Sequence, residues 1–296
     1  MRKDPPNKMM TDELEIKIID LYKGGMSASK ILDEIKLFKT PKTIYDILYK
    51  HGVLARSGDT RRDPNLNHSY FSKIDSENKA YVLGLLVSDG WVTGPQKNPS
   101  GHVTKSPQIA FSLTEEDVDL VEWVKTQWGS QNKISTITKL PAEYPNGQIY
   151  ESKPMKRIMI SSTKMFMDLN KLGVDPNKSY VSILPPIDKK YYSHFLRGLF
   201  DGDGTTGVYP YGNNGDMHLK IKFIGTQCIM GQIAWMLHDK CGITYVKPSG
   251  FKNRVLSSIE WNKLSDTQKL ADYIYKDIDK SYSLLRKREI IENFFN

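Results

Sequence analysis

Two aspartates are placed to do chemistry. Asp89 closes the run Val82-Leu83-Gly84-Leu85-Leu86-Val87-Ser88-Asp89-Gly90, and Asp203 closes Leu196-Arg197-Gly198-Leu199-Phe200-Asp201-Gly202-Asp203-Gly204. Carboxylates are hard oxygen ligands that bind Mg²⁺ well and share it with water and phosphate oxygens. A divalent cation held this way activates water and neutralises charge on a leaving oxygen, which is the chemistry of phosphodiester hydrolysis. Two carboxylates side by side repel each other, so their juxtaposition calls for a cation: Mg²⁺, or another divalent ion such as Mn²⁺. Either run alone reads as a core helix with a glycine stop. The match between the two makes duplication the stronger reading.

The elements that must position these carboxylates are the two apolar helices themselves. Gly84 and Ser88 are four residues apart, as are Gly198 and Gly202. Four residues bring small side chains onto one helix face, so that a second backbone can approach closely. Side-by-side packing of the two helices then sets Asp89 beside Asp203. The segments after each helix repeat as well. Gln108–Thr114 and His218–Phe223 alternate as half-buried strands, and each is succeeded by a helix, at Glu115–Trp128 and Cys228–Lys240. From Asp89 to Gly129 is 40 residues, and from Asp203 to Gly242 is 39. Further strands are expected near 133–140, 155–162 and 255–261, with closing helices at 165–172 and 266–276. The tripeptides Lys178-Ser179-Tyr180 and Lys280-Ser281-Tyr282 then match, and the extra length of the first half is assigned to the loop 141–154.

The fold expected is α+β: a pseudo-two-fold duplicated αββαββα arrangement with a saddle-shaped antiparallel sheet. Residues 73–296 form it, with repeat one at about 73–176 and repeat two at about 188–296. On the exposed sheet face, His218, Lys220 and Lys222 occupy alternate positions in repeat two, and Gln108 and Ser112 do so in repeat one, with Ala110 between them. Alternating cations on a sheet face suit phosphates and base edges, although such a face can equally be an ordinary solvated one.

Residues 1–56 read as a small all-α module, followed by a basic linker at 57–72. Three short helices are expected between 12 and 52, the third beginning at Pro41 after Thr40. Ile44, Ile47 and Leu48 face inward, leaving Lys42, Thr43, Tyr45 and Lys50 outside. The pattern resembles a helix-turn-helix of the resolvase or invertase kind, whose last helix enters the major groove; a three-helix bundle without DNA affinity has the same pattern. Arg56, Arg61 and Arg62 either touch phosphates or belong to a solvated tether.

Composition bounds the partners. The 296 residues carry a net charge of +8, which favours a polyanionic partner, here double-stranded DNA. No apolar run reaches a membrane span, the N-terminal residues lack a signal peptide's apolar segment, and Cys228 and Cys241 have no metal-ligand spacing. A monomer in an intracellular compartment (cytoplasm or nucleoid), neither secreted nor membrane-bound, is expected.

The two nonapeptides, over residues 73–296, resemble the signature of LAGLIDADG homing endonucleases in the single-chain, two-repeat form. The second copy departs little; the first has Val87 where Asp201 stands, yet both keep the last acidic residue. The resemblance implies Mg²⁺-dependent double-strand cleavage of a long DNA target, leaving short 3′ overhangs. It implies Asp89 and Asp203 as metal ligands, with the carbonyls of Ser88 and Gly202 approaching the metals. A basic residue near each active centre is also implied, for which Lys164 and Lys263 are candidates by position. A non-catalytic transcription regulator on the same scaffold, or an RNA maturase assisting intron splicing, are the alternatives.

Overall fold

The computed structural model describes residues 11–24, 26–38, 40–53, 63, 65–97, 99, 103–138, 140–143, 147–176, 183–211, 215–250 and 256–296. The chain divides into two compact units, Met1–Pro64 and Asn65–Asn296.

The first unit holds α1 (Asp12–Lys23), α2 (Ala28–Ile35) and α3 (Pro41–Lys50). Thr11 and Ser27 cap the first two, each side chain accepting a backbone N–H three residues on. Ile18, Tyr22, Ile31, Ile44, Ile47 and Leu48 close a small core of their own. Buried Glu15 on α1 accepts hydrogen bonds from Lys50 Nζ (2.9 Å) and from His51, tying α1 to the end of α3.

The second unit is the duplicated α+β fold. Repeat one runs α4 (Glu77–Ser88), β1 (Gly90–Thr93), β2 (Gln96–Lys97), β3 (Val103–Lys105), β4 (Gln108–Thr114), α5 (Val118–Gln127), β5 (Ser135–Ile137), β6 (Ala142–Glu143), β7 (Ile149–Tyr150), β8 (Met155–Ser161) and α6 (Thr163–Lys171). Repeat two runs α7 (Tyr192–Asp203), β9 (Thr205–Tyr211), β10 (Asp216–Thr226), α8 (Gln227–Cys241), β11 (Ser249–Gly250), β12 (Leu256–Trp261), α9 (Leu264–Tyr275) and α10 (Leu285–Phe295). The expected saddle is built as two four-stranded antiparallel ladders, one per repeat. Their orders are β1-β4-β8-β5 and β9-β10-β12-β11, which correspond strand for strand.

The core is one continuous cluster lying between the helices and both sheets. Ile109, Phe111 and Leu113 of β4 and Leu219, Ile221 and Phe223 of β10 supply the sheet side, in the expected alternation. Two readings of the sequence change. Residues 65–72, expected at the end of the linker, belong to the core: Leu66, Tyr70 and Phe71 are buried, and Asn67 N–H donates to Trp128 O. Their apolar side chains, spaced among turn residues, have no periodicity to betray them. The loop 141–154 carries the short β6–β7 ladder, closed past Gly147 at φ 79°. Its sequence holds an Asn146-Gly147 hairpin signal. Among the described residues no helix is long and apolar enough to cross a membrane.

Candidate active site

Helices α4 and α7 lie in parallel contact through their glycines. A Cβ on Gly84 would stand 2.2 Å from Phe195 O and 2.9 Å from Gly198 Cα; one on Gly198 would stand 2.2 Å from Tyr81 O and 3.0 Å from Gly84 Cα. One turn on, a Cβ on Gly202 would overlap the Ser88 side chain and come within 3.0 Å of Asp89 Oδ2. Because Gly84 faces Gly198 and Ser88 faces Gly202, the helices run in the same direction. Both C-terminal ends, and both aspartates, therefore arrive at one place.

Ser76 caps the start of α4 by accepting Lys79 N–H (3.3 Å), and Asp89 is its C-cap, donating its N–H to Leu85 O (2.9 Å). Asp203 is the last residue of α7, and Gly204 N–H donates to Phe200 O (2.9 Å). Gly90 and Gly204 are not left-handed stops. Gly204 is extended, at φ −69° and ψ 159°. Glycine is needed there because a Cβ would collide with the preceding turn, 2.5 Å from Leu86 O at Gly90 and 2.5 Å from Phe200 O at Gly204. The first strand of each sheet then leaves directly from the aspartate.

Asp203 is exposed and Asp89 half-buried. Each helix C-terminus carries partial negative charge from its last carbonyls. Two such ends and two carboxylates at one place form a concentrated site of hard oxygen donors, which fits Mg²⁺, Mn²⁺ or Ca²⁺ rather than a soft metal. Among the described residues no cluster of three or more Asp, Glu, His or Cys side chains has metal-binding geometry. The Ser88 hydroxyl donates to Gly84 O and Leu85 O (both 3.1 Å) and lies 3.5 Å from Gly198 O, bracing the helix pair.

A cation that the fold carries to this place is Lys287, on the first turn of α10. Its Nζ lies within hydrogen-bond distance of four carbonyl oxygens that end α7: Gly204 (2.5 Å), Asp201 (2.7 Å), Gly202 (2.8 Å) and Phe200 (2.9 Å). Burial pushes its pKa down to about 8, against the pull of Asp201, Asp89 and Asp203. Lys287 is not among the residues expected from the sequence. A signal was there: Arg286-Lys287-Arg288 places three cations in the first turn of a helix, where the dipole disfavours them. Each needs a partner outside the dipole, and each has one. Arg286 bonds Asp117 (3.1 Å), Arg288 bonds Glu292 (2.6 Å), and Lys287 takes the end of α7.

The other expected residues fall in several places. Lys164 donates to Ser72 Oγ (2.7 Å) and Asp168 (3.0 Å) at the start of α6. Lys263 opens α9, its carbonyl accepting from Asp266 N–H (2.9 Å) and Thr267 N–H (3.0 Å). The Gly202 carbonyl faces the Lys287 ammonium. His218, Lys220 and Lys222 lie half-exposed on the outer face of β10, with Lys220 and Lys222 bridged to Glu260 (3.0 and 3.8 Å). Gln108 and Ser112 are half-exposed on β4. Ala110 between them is buried, flanked in register by Trp91 and Met159, which are 46% and 40% exposed. The same row in repeat two holds Thr205, Lys222 and Glu260. The two halves of this face are thus chemically unlike.

In the N-terminal unit, Thr43 and Tyr45 are half-buried, with Tyr45 edge-on to Tyr22, and Lys50 is engaged by Glu15. The Lys42 side chain, and Arg56, Arg61, Arg62 and Lys178-Ser179-Tyr180, lie outside the described residues. Tyr282 of the second tripeptide packs on Trp123 of α5, ring centroids 5.2 Å apart.

No protein-family model and no curated protein matches the sequence. Solved structures do. The LAGLIDADG homing endonuclease I-SmaMI bound to cleaved DNA is 14% identical at a TM-score of 0.46, over 69% of this chain and 84% of that one. I-LtrWI bound to target DNA is 12% identical at 0.47, over 77% and 90%. I-GzeII in complex with a DNA target is 12% identical at 0.45, over 73% and 90%. The chain is similar in structure to these LAGLIDADG homing endonucleases.

Proposed function

We propose that the chain is a site-specific, divalent-metal-dependent DNA endonuclease of the homing type, cutting both strands of a long duplex target. The observation that carries the reading is the convergence of Asp89 and Asp203 at the joined C-terminal ends of α4 and α7. Asp89 and Asp203, with backbone oxygens of Ser88 and Gly202, would hold Mg²⁺ or a similar ion. When bound, such an ion supplies an activated water and charge neutralisation at the scissile phosphate.

The chain's own residues supply the rest. The helix pair fixes the distance between the carboxylates, and its pseudo-symmetry matches the two strands of a duplex. Lys287 neutralises part of the charge that the helix ends and aspartates concentrate, and it leaves Gly202 O with a lone pair to offer. The outer face of β10, with His218, Lys220 and Lys222, addresses phosphates and base edges. On the corresponding row of repeat one, Trp91 and Met159 suit an apolar contact such as a thymine methyl. The three-helix unit adds DNA affinity as an accessory module, and the protein acts as a monomer inside the cell.

The test is cleavage of a randomised duplex library in Mg²⁺, with recovered ends sequenced. Cuts at one recurrent sequence, with 3′ overhangs of constant length, support the reading. Tight, sequence-selective binding without cleavage in Mg²⁺ or Mn²⁺ would favour a transcription regulator instead.

A further inference from the structure

Asp201 stands where repeat one has Val87. A carboxylate is doubly disfavoured there. It is 1% exposed, and it sits in the last turn of α7, at the negative end of the helix dipole. Burial pushes its pKa up, and hydrogen bonds oppose the push. Three donors converge on it: the Tyr81 hydroxyl from α4 (2.7 Å), the Tyr275 hydroxyl at the end of α9 (2.5 Å) and the Leu284 N–H (3.0 Å).

Leu284 begins α10, and no side chain caps that helix. Its carbonyl accepts the N–H groups of Lys287 (3.0 Å) and Arg288 (3.2 Å), so fixing Leu284 fixes the turn that carries Lys287. We propose that Asp201 is a positioning residue: it pins the first turn of α10 to α7, and so holds the Lys287 ammonium against the carbonyls beside the catalytic aspartates. The pin explains a buried acid that packing alone would exclude. It also crosses the duplication, since Tyr81 belongs to repeat one. The helix pair that places the two carboxylates thus also places the cation. The pinning stands on the contacts alone; its consequence for cleavage rests on the endonuclease reading.

Two measurements on the full-length protein test it. The first is amine labelling read by mass spectrometry, on wild type, Asp201→Asn and the milder Tyr275→Phe. Lys287 is 6% exposed, so it should label at least about tenfold more slowly than exposed lysines such as Lys73 in wild type, and should lose that protection in Asp201→Asn as the turn is released. Tyr275→Phe, which removes one hydrogen bond, should give an intermediate rate and serves if Asp201→Asn does not fold.

The second measurement is single-turnover cleavage in Mg²⁺ beside DNA binding in Ca²⁺. Asp201→Asn and Lys287→Met should each slow cleavage by about tenfold to a hundredfold, with binding unchanged within about threefold. The double variant should be no slower than Lys287→Met alone, because one residue acts through the other. Continued protection of Lys287 in both variants overturns the proposal, as does a double variant slowed by the product of the single effects. If labelling responds as expected while wild type cuts no DNA, the pin stands and the endonuclease reading falls.

Discussion

Replacing Gly198 with alanine adds one methyl group where the backbones of the two halves of the molecule touch. The new Cβ would lie 2.2 Å from Tyr81 O and 2.8 Å from Leu85 N, both backbone atoms that cannot rotate away. Relief to ordinary contact requires α4 and α7 to part by about 1 Å, which opens gaps along an otherwise close-packed pair. Overpacking of this kind costs about 3 kcal/mol or more when backbone must move. For a unit spanning Asn65–Asn296, that corresponds to a fall in melting temperature of about 6–12 °C. The aspartates would part with their helices, and misplacement by about 1 Å is enough to slow catalysis by roughly a hundredfold. Gly231, inside α8, is the control. A Cβ there meets nothing nearer than Pro248 Cγ at 3.8 Å, so Gly231→Ala should leave the melting temperature unchanged or raise it, by up to about 1 kcal/mol of stability. Calorimetry on the two variants reads the contrast. A Gly198→Ala protein that melts within 2 °C of wild type, by the roughly 2–4 °C per kcal/mol scale, would refute the close-packing argument.

Glu260→Gln should strengthen DNA binding, because it releases Lys220 and Lys222 from their shared bridge. The slope of log affinity against log salt should steepen by about one unit for each lysine that gains a phosphate, and an unchanged slope would remove β10 from the DNA-facing surface. Acid stability should depend on Asp168. Burial pushes its carboxyl up, but hydrogen bonds from Ser72 and Lys164 and the charges of Lys164 and Lys171 outweigh it, holding the pKa below the ordinary 3.8. A depressed folded-state pKa gives stability that is full above the unfolded value and lost as pH falls through the folded one. The melting-temperature gap between wild type and Asp168→Asn should therefore be widest near neutrality and close below the ordinary pKa. A gap that stays constant to lower pH would sink the assignment.

What the sequence revealed and what it hid reflect the range of the interactions involved. The helix pair was legible because its geometry is written locally, in glycine or serine spaced by four and a terminal aspartate, twice. The strands at Gln108–Thr114 and His218–Phe223 were legible because one face is core and the other solvent. Lys287 and Asp201 were hidden because their roles exist only across long sequence separations. Each nevertheless breaks a local rule, one as a cation at a helix start and the other as an acid in an apolar helix's last turn. The burial of residues 65–72 and of Ala110 is not legible for a related reason: it is imposed by distant neighbours, Trp128 in one case and the flanking Trp91 and Met159 in the other. Lys164 and Lys263 are candidates by position in the repeat alone, and position does not say where a long flexible side chain ends.

The most direct test of the account tracks each target strand separately during single-turnover cleavage in Mg²⁺ by wild type, Asp89→Asn and Asp203→Asn. Asparagine keeps the shape of the side chain and removes the charge that would hold the cation. The account predicts that wild type cuts both strands, that either variant slows cleavage of at least one strand by about a hundredfold or more, and that both variants still bind the target in Ca²⁺. Variants that cut both strands at the wild-type rate would contradict it, because the two carboxylates would then have been brought together for something other than the chemistry.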